Sequence, residues 1–73
     1  MSMIKIQEYA MAAFKVAKTA HVDKGDKMSD RVSNTRKYWI KFAVDKKGYT
    51  IADASLIIQD AEDMADLELQ AVQ

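Results

Sequence analysis

The sequence predicts a small α+β domain in which an N-terminal helix and a C-terminal helix pack on a central β-hairpin. Apolar residues recur at three- and four-residue steps near both ends of the chain, which is typical of amphipathic helices, and alternate with a period of two in the middle. The 73 residues allow one domain, residues 1–73, with one thin core. The composition, 49% hydrophobic and 30% charged, is typical of a globular protein.

The N-terminal helix is predicted over residues 3–20, with Ser2 as its N-cap. One apolar stripe follows the helical period: Ile6, Tyr9, Ala10, Ala13, Phe14 and Ala17. We expect the helix to end near His21, because the next residues are turn formers. Residues 22–36 are polar and contain few large apolar side chains, so we expect a mobile polar linker there.

The central hairpin is predicted from residues 37–44, which are rich in aromatic and β-branched residues. Four alternating side chains form the core face of the first strand: Tyr38, Ile40, Phe42 and Val44. Residues 45–48 supply a turn in which Gly48 tolerates a positive φ. Tyr49 and Ile51 then form a short return strand.

An all-α alternative treats residues 29–47 as a helix that Gly48 closes at its C-terminus. Trp39, Phe42 and Ala43 would then share a face with Val32, and the protein would be a three-helix domain. Because a short apolar segment is compatible with both periods, the sequence leaves this choice open.

The C-terminal helix begins after Thr50, which with Asp53 resembles a capping box. Its apolar residues follow helical steps: Ala54, Ile57, Ile58, Ala61, Met64, Ala65, Leu69 and Val72. The acidic residues lie away from the centre of this stripe. A helix of about 20 residues spans roughly 30 Å, which is long enough to back the whole domain.

The net charge of zero conceals a division along the chain. Residues 1–48 contain all 11 Lys and Arg and five acidic residues, a net charge of +6, while residues 49–73 contain six acidic residues and no basic one, a net charge of −6. Such asymmetry is typical of proteins with charged partners. It is equally compatible with two halves that neutralise each other in the fold.

No set of convergent catalytic groups can be assembled from the sequence. It contains no Cys, one His and two Gly, which excludes a thiolate nucleophile, a multi-histidine metal site and a Gly-rich phosphate loop. No Ser is placed with His21 and Asp23 to make a hydrolytic set. We therefore expect a non-enzymatic protein with no cofactor, no metal and no small-molecule substrate. Since it has no long apolar run and no signal peptide, we expect it in the cytoplasm and not in a membrane.

The best binding candidates are basic residues around the single Trp: Arg36, Lys37, Trp39, Lys41, Lys46 and Lys47. On a strand, Lys37, Trp39 and Lys41 would project from the side opposite the core, where Trp39 would anchor a protein or stack on a base. The alternative is that one of the helices covers Trp39. A second candidate surface is the acidic side of the last helix: Asp60, Asp63 and Asp66.

Residues 37–70, a Lys-aromatic-Trp strand followed by a turn and a strongly acidic helix, resemble the short lytic-phage proteins that bind bacterial host RNA polymerase. The resemblance covers about half of the chain and lies in general character rather than in a motif, so no binding residue is carried over from that family. It implies a stoichiometric inhibitor or regulator of host transcription that acts on polymerase subunits in the bacterial cytoplasm.

Two other functions compete with this one. A small nucleic-acid-binding protein of helix-turn-helix type would follow if residues 29–47 are helical, and its affinity would fall steeply with salt. An acidic DNA mimic or anti-defence protein would depend on Asp60, Asp63 and Asp66. It would tolerate the loss of Lys37 and Lys41.

Overall fold

The structure, a computed structural model, describes residues 3–19 and 27–71, which form an all-α domain of three helices. Their bounds are Met3–Thr19 for α1, Met28–Lys47 for α2 and Ile51–Ala71 for α3. Each helix packs against the other two. Gln7 lies beside Ile57 and Lys15 beside Glu68, so α1 and α3 run parallel and pack directly on each other. The chain connects them through α2, which packs against both.

The predicted β-hairpin is wrong: residues 37–44 belong to α2, and the described ranges contain no strand. The helix places Val32, Trp39 and Ala43 on one side, since they are separated by seven and four residues. Val32 and Ala43 are buried and Trp39 packs against the core. Tyr38, which the strand model assigned to the core, is instead 61% exposed. The all-α alternative is therefore the observed fold.

The polar stretch before these residues is helical as well. Residues 28–36 form the first half of α2, whereas residues 22–26 of the predicted linker lie outside the described residues. The Lys27 carbonyl accepts the amides of Asp30 and Arg31, both at 3.1 Å, and so starts the helix. Asp30 in the first turn complements the helix dipole. Thr35 satisfies its hydroxyl within the helix by donating to the Arg31 carbonyl at 2.8 Å.

A three-residue turn, 48–50, joins α2 to α3. Gly48 adopts the left-handed conformation with φ 76°, and the amides of Gly48 and Tyr49 donate to the Val44 and Ala43 carbonyls at 3.2 Å. Thr50 then caps α3, because its hydroxyl accepts the Asp53 amide at 3.1 Å. The cap predicted at Thr50 is confirmed, and Gly48 ends a helix instead of turning a hairpin.

The core is a column of small and medium side chains between the three helices. Its buried members are Ile6, Ala10, Phe14, Ala17, Val32, Ala43, Ala54, Ile57, Ile58, Ala61 and Ala65. The many alanines let the helix backbones approach closely, and Phe14, Ile6 and Ile58 are the largest of the fully buried side chains. The stripes predicted for α1 and α3 are largely confirmed. Tyr9 and Met64 are exposed instead, and Val72 lies outside the described residues.

Candidate functional site

The basic residues predicted to bind a partner do not share one surface. Lys37 and Lys41 lie on the outer face of α2 and are exposed, as are Lys46 and Lys47 in its last turn. Arg36 instead points toward α3, where its Nε donates to Glu62 Oε1 at 3.1 Å and its Nη2 donates to the same oxygen. The structure therefore gives Arg36 a role in joining helices.

Trp39 points toward α1 and lies at the centre of an aromatic cluster. Its ring stacks on Tyr9 of α1 with centroids 6.4 Å apart and an interplanar angle of 23°. It also meets Tyr38 and Phe42 edge to face, each with centroids 5.3 Å apart. Tyr38 and Phe42 lie nearly parallel at 6.5 Å. We call these four residues the aromatic seam, because they follow the junction of α1 and α2.

The seam is open to solvent at its edges and closed at its centre. Tyr38 and Tyr9 are 61% and 50% exposed, whereas Trp39 and Phe42 are half-buried. The strand model made Trp39 the outward ring and Tyr38 a core residue, and the helix reverses both assignments. Successive residues of a helix differ by about 100° in direction, so Tyr38 faces solvent while Trp39 faces α1.

Cations border the aromatic seam. Lys47 Nζ lies 5.9 Å from the Phe42 ring centroid, within the range of a cation–π interaction. Lys41 and Lys46 line a shallow groove together with Tyr38 and Phe42. This arrangement offers aromatic area and positive charge at one place. The strand model predicted lysines beside an outward Trp39, whereas the exposed rings here are Tyr38 and Tyr9. Tyr9 was hidden because its helical period assigned it to the core.

Three acidic residues of α3 neutralise cations on the other two helices. Glu62 accepts from Arg36 and, at 3.4 Å, from Lys18. Asp66, one of the predicted acidic contacts, pairs with the same Lys18, and Glu68 pairs with Lys15. Part of the charge division along the sequence is thus cancelled by folding. Asp66 takes part in the packing of α3 against α1.

The other two predicted acidic contacts lie on the outer side of α3. Asp60 and Asp63 are exposed, and Asp63 accepts a hydrogen bond from Gln59 of its own helix at 3.1 Å. Leu56 and Leu67, 66% and 65% exposed, lie on the same side because the four residues recur at steps of four, three and four. We call Leu56, Asp60, Asp63 and Leu67 the acidic face. Sequence reasoning missed its leucines, although this spacing could have identified them.

Within residues 3–19 and 27–71, no three His, Cys, Asp or Glu side chains are placed to hold a metal ion. None of the helices described there has the length and apolar character to cross a lipid bilayer. His21 and Asp23 lie outside the described residues. Comparison of the chain with protein-family models, curated proteins and solved structures finds no match.

Proposed function

We propose that this chain is a non-enzymatic regulator that works by binding a protein through the aromatic seam and its bordering lysines. The observation that carries the proposal is the exposure of Tyr9 and Tyr38 around a half-buried Trp39. Tyr and Trp are the residues most enriched in the energetic centres of protein interfaces. An aromatic ring that already packs on its neighbours loses little conformational entropy when a partner covers it.

The charge around the seam indicates the chemistry of the partner. Lys41, Lys46 and Lys47 lie beside the rings, with Asp45 as the acidic residue among them. A partner surface that combines acidic side chains with apolar area would therefore be attracted to this side of α2. Electrostatic attraction of this kind raises the association rate more than the final affinity, and it weakens as salt is added.

Bacterial RNA polymerase is the partner that we propose, with host transcription in the bacterial cytoplasm as the process that is inhibited or redirected. The support is the resemblance to short lytic-phage regulators. The strand in that resemblance is helical here, so the resemblance now consists of the small Cys-free chain and the acidic α3.

The helix-turn-helix form of the nucleic-acid alternative is disfavoured by charge. In that motif the helix after the short turn enters the major groove. Here that helix is α3, which has no basic residue and carries Asp53, Asp60 and Asp63 on exposed positions. Phosphates would repel it. This charge argument concerns α3 and does not apply to the aromatic seam. Stacking of nucleic-acid bases on the seam is therefore tested together with protein binding.

Binding to purified bacterial RNA polymerase tests the proposal. The wild-type chain is compared with Tyr38→Ala/Lys41→Ala, which removes an exposed ring and its neighbouring cation. Val16→Ala is the matched control, because Val16 is similarly exposed on α1 and takes no part in the ring contacts. We expect the double variant to bind at least tenfold more weakly, a change of about 1.4 kcal/mol. The control should bind as the wild type does.

Three results would count against the proposal. Polymerase that fails to bind the wild type would remove it as the partner. Equal binding by the double variant would remove the aromatic seam as the docking surface. Micromolar binding of single-stranded DNA or RNA, lost in the double variant and retained in the control, would replace protein binding by nucleic-acid binding at the same residues.

A further inference from the structure

We propose that the chain associates with a second copy of itself, the acidic face of α3 in one copy meeting the basic outer face of α2 in the other. This inference goes beyond the proposed function, because it gives the acidic face of α3 a partner. The two contacts share Tyr38 and Lys41, so a second copy and a protein partner would compete for the basic outer face of α2. The proposed self-association rests on the complementary chemistry of two surfaces that the folded chain leaves exposed.

The acidic face combines charge with apolar area in a continuous strip. From Leu56 to Leu67 it extends over twelve residues, which is eleven helical steps or roughly 16 Å along α3. Both leucines are about two-thirds exposed and flank Asp60 and Asp63. Single exposed leucines are ordinary on protein surfaces. Two on one helical face, with two carboxylates between them, make a strip suited to a helix that carries both apolar and basic side chains.

The outer face of α2 carries that combination. Lys37, Tyr38 and Lys41 are exposed there within about one helical turn. Lys37 and Lys41 are four residues apart, so their like charges repel each other along the helix. Two carboxylates of a second copy would relieve this repulsion. The Tyr38 ring could then cover leucine side chains of the acidic face.

Folding leaves these particular charges without an ion-pair partner on another helix. The acids beside the helix junctions are used within the chain, where Glu62 and Asp66 bind Arg36 and Lys18. Among the residues that the structure describes, no ion pair between helices involves Lys37 or Lys41, and none involves an acid of the acidic face. The remaining opposite charges lie on separate faces of the bundle and are available to another molecule.

The contact is heterologous, because it joins two different surfaces of the chain. Since the two faces lie on separate faces of the bundle, each copy uses its acidic face to bind one neighbour and its basic face to bind another, and the copies associate head to tail. Each contact is one helix face on another, which places the interface near the lower end of the areas found in specific complexes. We therefore expect association on the order of micromolar, weakened by salt.

Sedimentation equilibrium over a wide concentration range tests the inference with charge-reversal variants. Asp60→Lys/Asp63→Lys makes both faces basic, and Lys37→Asp/Lys41→Asp makes both faces acidic. Each double variant should associate at least tenfold more weakly than the wild type. An equimolar mixture of the two should associate again, because every contact between unlike variants then joins opposite charges. Circular dichroism checks that each variant retains its helices.

The mixture is the control for folding and for general charge effects. A wild type that remains monomeric at every concentration would overturn the inference. So would double variants that associate as strongly as the wild type, or a mixture that stays as weak as its components. Failure of this test leaves polymerase binding through Tyr38 unaffected, since that experiment measures a different complex.

Discussion

The acidic residues on the two sides of α3 have different roles. On the side that meets the other helices, Glu62 and Asp66 hold Lys18 and Arg36 at the junction of all three helices. On the outer side, Asp60 and Asp63 form no ion pair with another helix among the described residues. The two sets are interleaved in the sequence, so the direction around the helix decides which acids stabilise the fold and which form a surface.

This difference shows how a thin core is supported. More than half of the buried core residues are alanines, which contribute little apolar area each. The side chains of Glu62 and Lys18 are only 13% and 16% exposed, so their interaction is screened less than a surface pair. Charges at the helix junctions therefore extend the contacts beyond the apolar column.

The largest expected effect comes from the core under the inner side of α3. Ile58→Ala removes a fully buried side chain and should lower the free energy of unfolding by about 2–5 kcal/mol. A domain of this size has on the order of 5–10 kcal/mol in total. Urea unfolding followed by circular dichroism measures the loss. Leu56→Ala on the outer side should change stability by less than about 0.5 kcal/mol. Equal losses at both positions would contradict the assignment of the two sides.

The next effect tests the ion pairs directly. Glu62→Gln keeps the size of the side chain and removes its charge, which leaves Arg36 without its carboxylate and Lys18 with Asp66 alone. We expect the free energy of unfolding to fall by about 1–2 kcal/mol. Glu68→Gln is the control, since the pair with Lys15 is more exposed and should contribute less than about 1 kcal/mol. A larger loss at Glu68 would refute the role given to Glu62.

An effect of similar size is expected at the turn that sets α2 against α3. Gly48→Ala should cost about 1–2 kcal/mol, because an L-residue is disfavoured at φ 76°. The added Cβ would meet no atom within 4 Å, so the cost is conformational rather than steric. Gly48→Asn should cost less, since Asn tolerates the left-handed conformation. Thermal unfolding of both variants checks the order, and an alanine variant as stable as the wild type would contradict it.

The smallest effect completes the contrast on α3. Asp60→Asn/Asp63→Asn removes two charges from the outer side and should change the free energy of unfolding by no more than about 0.5 kcal/mol. A slight gain is expected, because the two carboxylates are three residues apart and repel each other. Urea unfolding beside Glu62→Gln measures this. A loss as large as that of Glu62→Gln would show that the outer acids also hold the fold together.

The middle of the chain explains why the hairpin prediction failed. Residues 38–44 contain six apolar side chains in seven positions, so they satisfy a period of two and a helical period alike. Two signals favoured the helix: Asp30 in its first turn and Lys46 and Lys47 in its last turn both complement the helix dipole. Residues with high β-propensity still form the helix, since packing against neighbouring elements outweighs propensity.

Part of the candidate site could be predicted from local sequence patterns. The exposed lysines of α2 and the outward position of Asp60 and Asp63 follow from sequence and helical period. The aromatic seam does not, because it joins Tyr9 of α1 to Trp39 of α2, thirty residues apart in the sequence. No local pattern reports a contact between two helices.

By itself, the sequence determined the two terminal helices, the cap at Thr50, the lack of a thiolate or multi-histidine site and the opposite charges of the two halves. Capping, periodicity and composition act over a few residues, so they are visible in one dimension. The tertiary structure alone decided that the middle segment is helical, that Trp39 turns toward α1 and that Glu62 and Asp66 are paired. Those outcomes depend on which side of each helix meets its neighbours. That is a property of packing in three dimensions.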